Sequence, residues 1–340
     1  MCVIKFVQVI YCNLPNTKIT NCLLGGALGD SLGYPIEFML SPTEVYHCYG
    51  VKYLTFTNFP VRPLISDDTQ MTLFTALGLL SPGDHLTNLW RSYQDWLETQ
   101  WKSDQTAMAH PPSSYLTSYP DLFNSREPGR TCLQALAHQL PGTLSQPLNN
   151  SKGCGALMRV APVGFLSEPL AVTIALGARS AALTHGHPLS SLAAGFMAGL
   201  IHSLLGGAPL TPATVYTTLD FTLEHLALLP ACTTFANCIQ TAINLTTNSA
   251  PDQTNIAQLG AGWVAEETLA IALYCALKYS DHPLRAIEVA VNHGGDSDST
   301  GALTGQIVGI CQQDTNWLPA TYLKRLELRE LIIRVANEFT

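Results

Sequence analysis

The chain has 340 residues, 47% of them apolar and only 12% charged, with 17 basic against 25 acidic side chains for a net charge of −8. This balance provides for a large buried core and, with no basic run or aromatic–basic interleaving, excludes a nucleic-acid-binding surface. The ten cysteines are scattered with no C-x-x-C or clustered Cys/His spacing, which excludes a zinc finger and fits reduced thiols in a cytoplasmic protein.

Residues 1–16 have some strand-like character but no long apolar run with a cleavage site, so no signal peptide is read there. A helix is expected from Thr17 to about Tyr34-Pro35, with Ile19, Leu23, Leu24 and Leu28 as its apolar stripe. It also carries Gly25, Gly29 and Gly33 at four-residue spacing. Mid-helix glycines cost about 1 kcal/mol each relative to alanine, so three on one face imply close packing against another backbone. Asp30 reads as a polar tie to a neighbouring backbone, and Glu37 follows in the turn. Residues 41–65, broken by Pro42, Pro60 and Pro63, are expected to be irregular. At Ser66-Asp67-Asp68-Thr69 the chain enters an apolar helix. One of these residues suffices as an N-cap; two adjacent aspartates exceed that need and offer metal ligands.

Residues 84–104 read as an amphipathic helix with core aromatics, 105–130 as a long polar surface excursion, and Thr131–Gln139 as a short helix. Next comes Asn149-Asn150-Ser151-Lys152-Gly153-Cys154-Gly155, a polar glycine loop expected to lead into an apolar helix and offer backbone N–H groups to an anion. Helical pattern then covers 168–184, 188–205, 211–228, 230–246, 259–279, 282–292, 301–313 and 319–338. The apolar runs contain Gly, His or Ser and fall short of a membrane span, so no membrane contact is expected. His185 and His187, one apart in a turn before a proline, read as partners of backbone groups. In Asn292-His293-Gly294-Gly295-Asp296-Ser297-Asp298-Ser299, two carboxylates and two hydroxyls follow a glycine pair that lets the backbone turn sharply. Gly301, Gly305 and Gly309 then repeat the four-residue spacing of the first helix, and the two glycine faces are expected to pack together.

No strand–helix alternation or fixed repeat is present, so the chain reads as all-α. The carboxylates of Glu37, Asp67, Asp68, Asp296 and Asp298, with serine hydroxyls, form a hard-oxygen set suited to Mg²⁺, Mn²⁺ or Ca²⁺. Five carboxylates exceed what one divalent ion neutralises, which favours a pair of ions able to activate water.

Together, Gly25-Gly26-Ala27-Leu28-Gly29-Asp30-Ser31-Leu32-Gly33…Glu37, Ser66-Asp67-Asp68-Thr69, Ser151-Lys152-Gly153-Cys154-Gly155…Met158-Arg159…Pro162, Thr184-His185, Gly262-Trp263-Val264-Ala265-Glu266-Glu267 and Gly294-Gly295-Asp296-Ser297-Asp298-Ser299 resemble the ADP-ribosylglycohydrolase family. That family includes the dinitrogenase reductase-activating glycohydrolases. The resemblance implies one compact orthogonal multi-helix domain over residues 1–340, with its motifs between 18 and 313. It also implies a dinuclear Mg²⁺ centre, with Mn²⁺ as substitute, and hydrolysis of the bond between ADP-ribose and an acceptor, either a protein side chain or a small conjugate. By motif, Ser66, Asp67, Asp68, Asp296, Asp298 and Ser299 would hold the metals, with Asp67 and Asp298 central to catalysis and Glu37 the acid/base or gating carboxylate. Ser151, Gly153, Cys154 and Gly155 would line the diphosphate and ribose cradle with His185 nearby. Cys154 replaces the asparagine of many members. A monomer is expected. The other readings are a different two-metal hydrolase of nucleotides or phosphates, and a non-catalytic ADP-ribose-binding protein.

Overall fold

Three glycines on one face should weaken a helix unless another backbone lies against them. The computed structural model, which describes residues 17–138 and 140–339, places one there. Helix α1 (Thr17–Gly33) packs along α13 (Ser297–Ile310). A Cβ added to Gly25 would run into the carbonyl of Gly305, one on Gly29 into that of Gly301, and one on Gly33 into that of Ser297. The reverse holds for Gly301, Gly305 and Gly309, which face Gly29, Gly25 and Asn21. Because the pairs run in opposite directions, the helices are antiparallel, and the end of α1 meets the start of α13. Both are buried over nearly their whole length.

Around this pair stand α2 (Pro42–Tyr49), α3 (Asp67–Leu80), α4 (His85–Thr99), α5 (Arg130–Leu136), α6 (Leu170–Ala182), α7 (Pro188–Leu205), α8 (Pro212–His225), α9 (Cys232–Leu245), α10 (Asp252–Ile256), α11 (Ala265–Lys278), α12 (Pro283–Val291), α14 (Ala320–Leu323) and α15 (Arg329–Ala336). Among the described residues there is no strand, only an isolated antiparallel bridge between Gly153 and Val264, so the fold is all-α as expected. The buried apolar side chains form one continuous core. The strand-like character read in residues 1–16 and the expected helix end at Gln139 lie outside the described residues.

Several expectations need correction. Residues 41–65 are not wholly irregular: Ser41 caps α2 through the Glu44 N–H, Pro42 occupies the first turn where no N–H is needed, and Gly50 ends it with φ of 71°. The apolar run after Gly155 forms no α-helix, only short 3₁₀ turns at Cys154–Ala156 and Ala161–Phe165. Pro162 has no N–H to return to Met158 O, which instead accepts from Gln306 Nε2 at 3.2 Å. Helix α11 starts at Ala265 rather than 259 because Gly260 and Gly262 hold positive φ. The expected helix 319–338 is split. Glu327 leaves the helical path, takes the Pro63 carbonyl with its N–H and accepts from Ile65 N, and Leu328 follows at φ of 55°. Helix α7, at 18 residues, does reach the length of a membrane span, but 78% of it is buried in the core.

The α1–α13 contact makes a stability prediction. Gly29→Ala, and more so Gly29→Leu or Gly305→Leu, should destabilise by about 1–3 kcal/mol or more, because the clash is with backbone that cannot step aside. Gly129→Ala, where an added Cβ meets nothing within 4 Å, is the control and should stay within a few tenths of a kcal/mol. Chemical denaturation of the four variants checks this; equal midpoints would contradict the contact.

Candidate metal centre and ligand cradle

The antiparallel pairing brings three acidic segments together: the end of α1 with Glu37, the start of α3, and the start of α13. Ser66 caps α3 by accepting from Asp68 N, which places Asp67 and Asp68 in its first turn. Helix α13 begins at Ser297 rather than 301, so Asp298 and Ser299 occupy its first turn and Asp296 its cap. Both helix starts favour negative charge. One carboxylate oxygen from each of Glu37, Asp296 and Asp298 lies within 4.8 Å of the other two. Glu37 thus lies among the carboxylates at the start of α13. Asp67 and Asp68 complete the cluster, and Asp67 is further fixed by the Gly129 N–H at 3.2 Å. The excursion 105–130 therefore returns into the site.

All of these carboxylates are buried, and all have their pKa raised. Burial is the first cause for each, and for Asp30, Glu37, Asp67, Asp68 and Asp296 the leading charge is Asp298. Glu37 is pushed up to about 10 and Asp30 to about 7. Asp30 is the tie expected of it, accepting from Ser66 N at 2.9 Å, from Thr69 N and from the Thr69 hydroxyl. Oxygens of Glu37, Asp68 and Asp296 are buried with no hydrogen-bond partner. Buried, clustered, unpartnered carboxylate oxygens are what a hard divalent cation requires, so the residues present fit such an ion.

The Asp296 loop is held from behind. Gly294 has φ of 79° and packs on the Leu40 carbonyl, and a Cβ on Gly295 would strike Ala261 O. Asp296 N donates to Ala261 O at 2.9 Å, while Glu267 accepts from Ala261 N and Gly262 N. His293, its pKa lowered to about 4 by burial, bonds Thr300 Oγ1.

Beside the carboxylates runs the loop 151–155. Ser151 Oγ meets Thr131 Oγ1 at 2.9 Å and accepts from Gly153 N. The Lys152 ammonium pairs with Glu266, and Lys152 O accepts from Ala265 N. His185 lies against Gly153 and Gly155. His187 accepts from Leu189 N, the backbone role expected of it. The Cys154 thiol, its pKa raised by burial and then by the charge of Asp296, lies near the acidic cluster. The short turn that the loop enters, Cys154–Ala156, is too brief to offer a helix dipole.

Sequence reading missed Arg159, Thr184 and Glu267 as positioning groups, and the pair Phe38–Trp263, exposed rings stacked at 5.9 Å beside Glu37 and the Gly262 turn. The signal for Glu267 was present, a second glutamate at a helix start beyond capping need; the others depend on distant partners.

The sequence profile of the ADP-ribosylglycohydrolase family matches residues 13–340. The ADP-ribosyl-[dinitrogen reductase] glycohydrolase of Rhodospirillum rubrum is 24% identical over 321 residues, covering 92% of this chain and 91% of the relative. An ADP-ribosylarginine hydrolase of Serratia proteamaculans is 25% identical over 94% of this chain and 78% of its own length. A solved structure, an ADP-ribosylglycohydrolase-related protein complex, superposes with a TM-score of 0.58 at 23% identity, covering 95% of this chain and 97% of the other, and supports the fold.

The raised pKa values set a pH dependence. A carboxyl whose folded pKa exceeds its unfolded value of about 4 contributes stability that is present below that value and lost as pH rises through the folded pKa. For Asp30 and Glu37 that window runs from about 4 to about 7 and about 10. The cation-free protein should therefore melt at progressively lower temperature between about pH 5 and about pH 9, and Mg²⁺ should restore the loss most at the alkaline end. Asp298→Asn should melt higher than wild type in chelator and gain little from Mg²⁺. Calorimetric scans across pH check both; a cation-free wild type that stabilises with rising pH would contradict the cluster's charge state.

Proposed function

The chain belongs to the ADP-ribosylglycohydrolase family, and from that premise we propose that it hydrolyses the glycosidic bond between ADP-ribose and an acceptor, an ADP-ribosylated protein side chain or a small conjugate. The observation that carries the reading is the buried group Glu37, Asp296 and Asp298 flanked by Asp67 and Asp68. Two divalent ions, Mg²⁺ with Mn²⁺ as substitute, fit the oxygens of Ser66, Asp67, Asp68, Asp296, Asp298 and Ser299. When bound, they supply positive charge that orients ribose hydroxyls and makes water more acidic.

The chain's own residues do the remaining work. The first turns of α3 and α13 hold the aspartates rigidly, so little reorganisation accompanies reaction. Glu37 has an unpartnered Oε2 and a pKa set far above the usual carboxylate range by burial and Asp298, and it changes protonation as nearby positive charge changes. It takes a proton from the attacking water and returns one to the departing acceptor. The anomeric carbon is left electron-poor as the bond breaks, and the carboxylates around it favour that charge. Gly153, Gly155, Ser151 and His185 hold the diphosphate and ribose with neutral donors, which suits an acidic protein. Phe38 and Trp263 stack as exposed rings beside Glu37 and the Gly262 turn, where an acceptor would pass.

Release of ADP-ribose from arginine-, serine- and O-acetyl-linked substrates, with chelator and with Mg²⁺, tests the reaction. Cleavage of at least one linkage is expected, abolished by chelation; full activity in a metal-free sample, or no cleavage of any, would contradict it. Glu37→Gln should keep bound metal and ADP-ribose affinity while kcat falls by about 10²–10⁴-fold. Asp298→Asn should lose metal, affinity and turnover together. Loss of metal from Glu37→Gln would make Glu37 a ligand.

A further inference from the structure

Arg159 is 1% exposed, yet no carboxylate pairs with it among the described residues. Its guanidinium carbon lies 4.1 Å from the centre of the Tyr93 ring, and its nitrogens face Met71 Sδ at 3.5 Å, Cys132 Sγ at 3.6 Å and Thr184 Oγ1 at 2.8 Å. A buried cation among neutral groups is costly, so packing alone is a poor reason for its presence.

The bond to Thr184 has a directional consequence. A guanidinium only donates, so the fully buried Thr184 oxygen accepts from Arg159. The hydroxyl has one proton of its own, and His185 Nδ1 lies 2.9 Å away. Were Nδ1 protonated, it would donate to the same oxygen, and the hydroxyl proton would be left unsatisfied in the core. With Nδ1 accepting, the neutral ring carries its proton on Nε2. Burial, and then the charge of Arg159, hold the ring's pKa down at about 3, so it does not take up a second proton at working pH.

The Nε2 edge of the ring is turned to the glycine loop: a Cβ on Gly153 would come 3.6 Å from Nε2, and one on Gly155 3.4 Å from Cε1 and 3.5 Å from Nε2. The turn and the loop are stitched together, so this orientation is fixed. Asn149 donates to Thr184 O at 2.8 Å and accepts from Ser151 N and Gly186 N, and His187 N donates to Ser151 O.

We propose that Arg159 and Thr184 are positioning residues that lock His185 in its Nε2–H tautomer, so that the ring presents a neutral hydrogen-bond donor to a ligand oxygen lying in the Gly153–Gly155 loop. The ligand half rests on the reading that this loop cradles ADP-ribose; the tautomer half does not. Long-range ¹H–¹⁵N spectra of ¹⁵N-histidine-labelled wild type should show His185 with an unprotonated Nδ1 and a protonated Nε2, unchanged between about pH 5 and about pH 9. Thr184→Val should convert the ring to a mixed or reversed tautomer and weaken ADP-ribose binding by about 3- to 10-fold in calorimetric titration, the worth of one hydrogen bond. Thr184→Ser should restore both. A protonated Nδ1 in wild type, or an unaltered tautomer in Thr184→Val, would overturn the relay whatever binds. A correct tautomer in a wild type that does not bind ADP-ribose would overturn the cradle reading and leave the relay standing. Should Thr184→Val fail to fold, the wild-type and Thr184→Ser spectra decide the case.

Discussion

The backbone-to-backbone approach of α1 and α13 is the constraint on which the site depends. Gly25, Gly29 and Gly33 lie against Gly305, Gly301 and Ser297, so neither helix can shift or rotate without a clash. The register this imposes sets the end of α1 against the start of α13, and Glu37 and Asp30 therefore meet Asp296 and Asp298. The start of α3 is fastened to the same place by Asp30, which holds the Ser66 and Thr69 N–H groups. The packing of two core helices thereby sets the geometry of the buried carboxylate cluster.

That geometry concentrates like charge where water is scarce. Asp298 is the leading charge on every neighbouring carboxylate, and the helix starts of α3 and α13 offset only part of the repulsion. The arrangement holds the folded protein in a state that favours protons or cations, trading stability for a preorganised binding site. The neighbouring glycine loop is built without unpaired exposed charge: burial holds the His185 pKa down, Arg159 is enclosed, and Lys152 is paired with Glu266.

Much of this was legible in the sequence because it is local. Two aspartates at one cap, two more after a glycine pair, and glycines at four-residue spacing on two helices each exceed what ordinary structure requires. The close packing of those glycines, the tie made by Asp30 and the backbone role of His187 all follow from such local surpluses. What escaped depends on distant partners. Pro42 looks like a breaker until Ser41 caps the helix it opens. The run after Gly155 looks helical until Pro162 frees the Met158 carbonyl for Gln306. Glu327 splits a helical pattern to reach Pro63 and Ile65, over 260 residues away in sequence. Arg159 and Thr184 carry no local mark of their work, since each acts by orienting another residue.

On the proposed function, this packing builds a site for a pair of divalent cations. Anomalous diffraction from crystals grown with Mn²⁺ tests it most directly. Two peaks about 3.5–4 Å apart, lying between Asp67–Asp68 and Asp296–Asp298, are the predicted result. A cluster that stays empty at saturating Mn²⁺, or ions found only elsewhere on the protein, would contradict it.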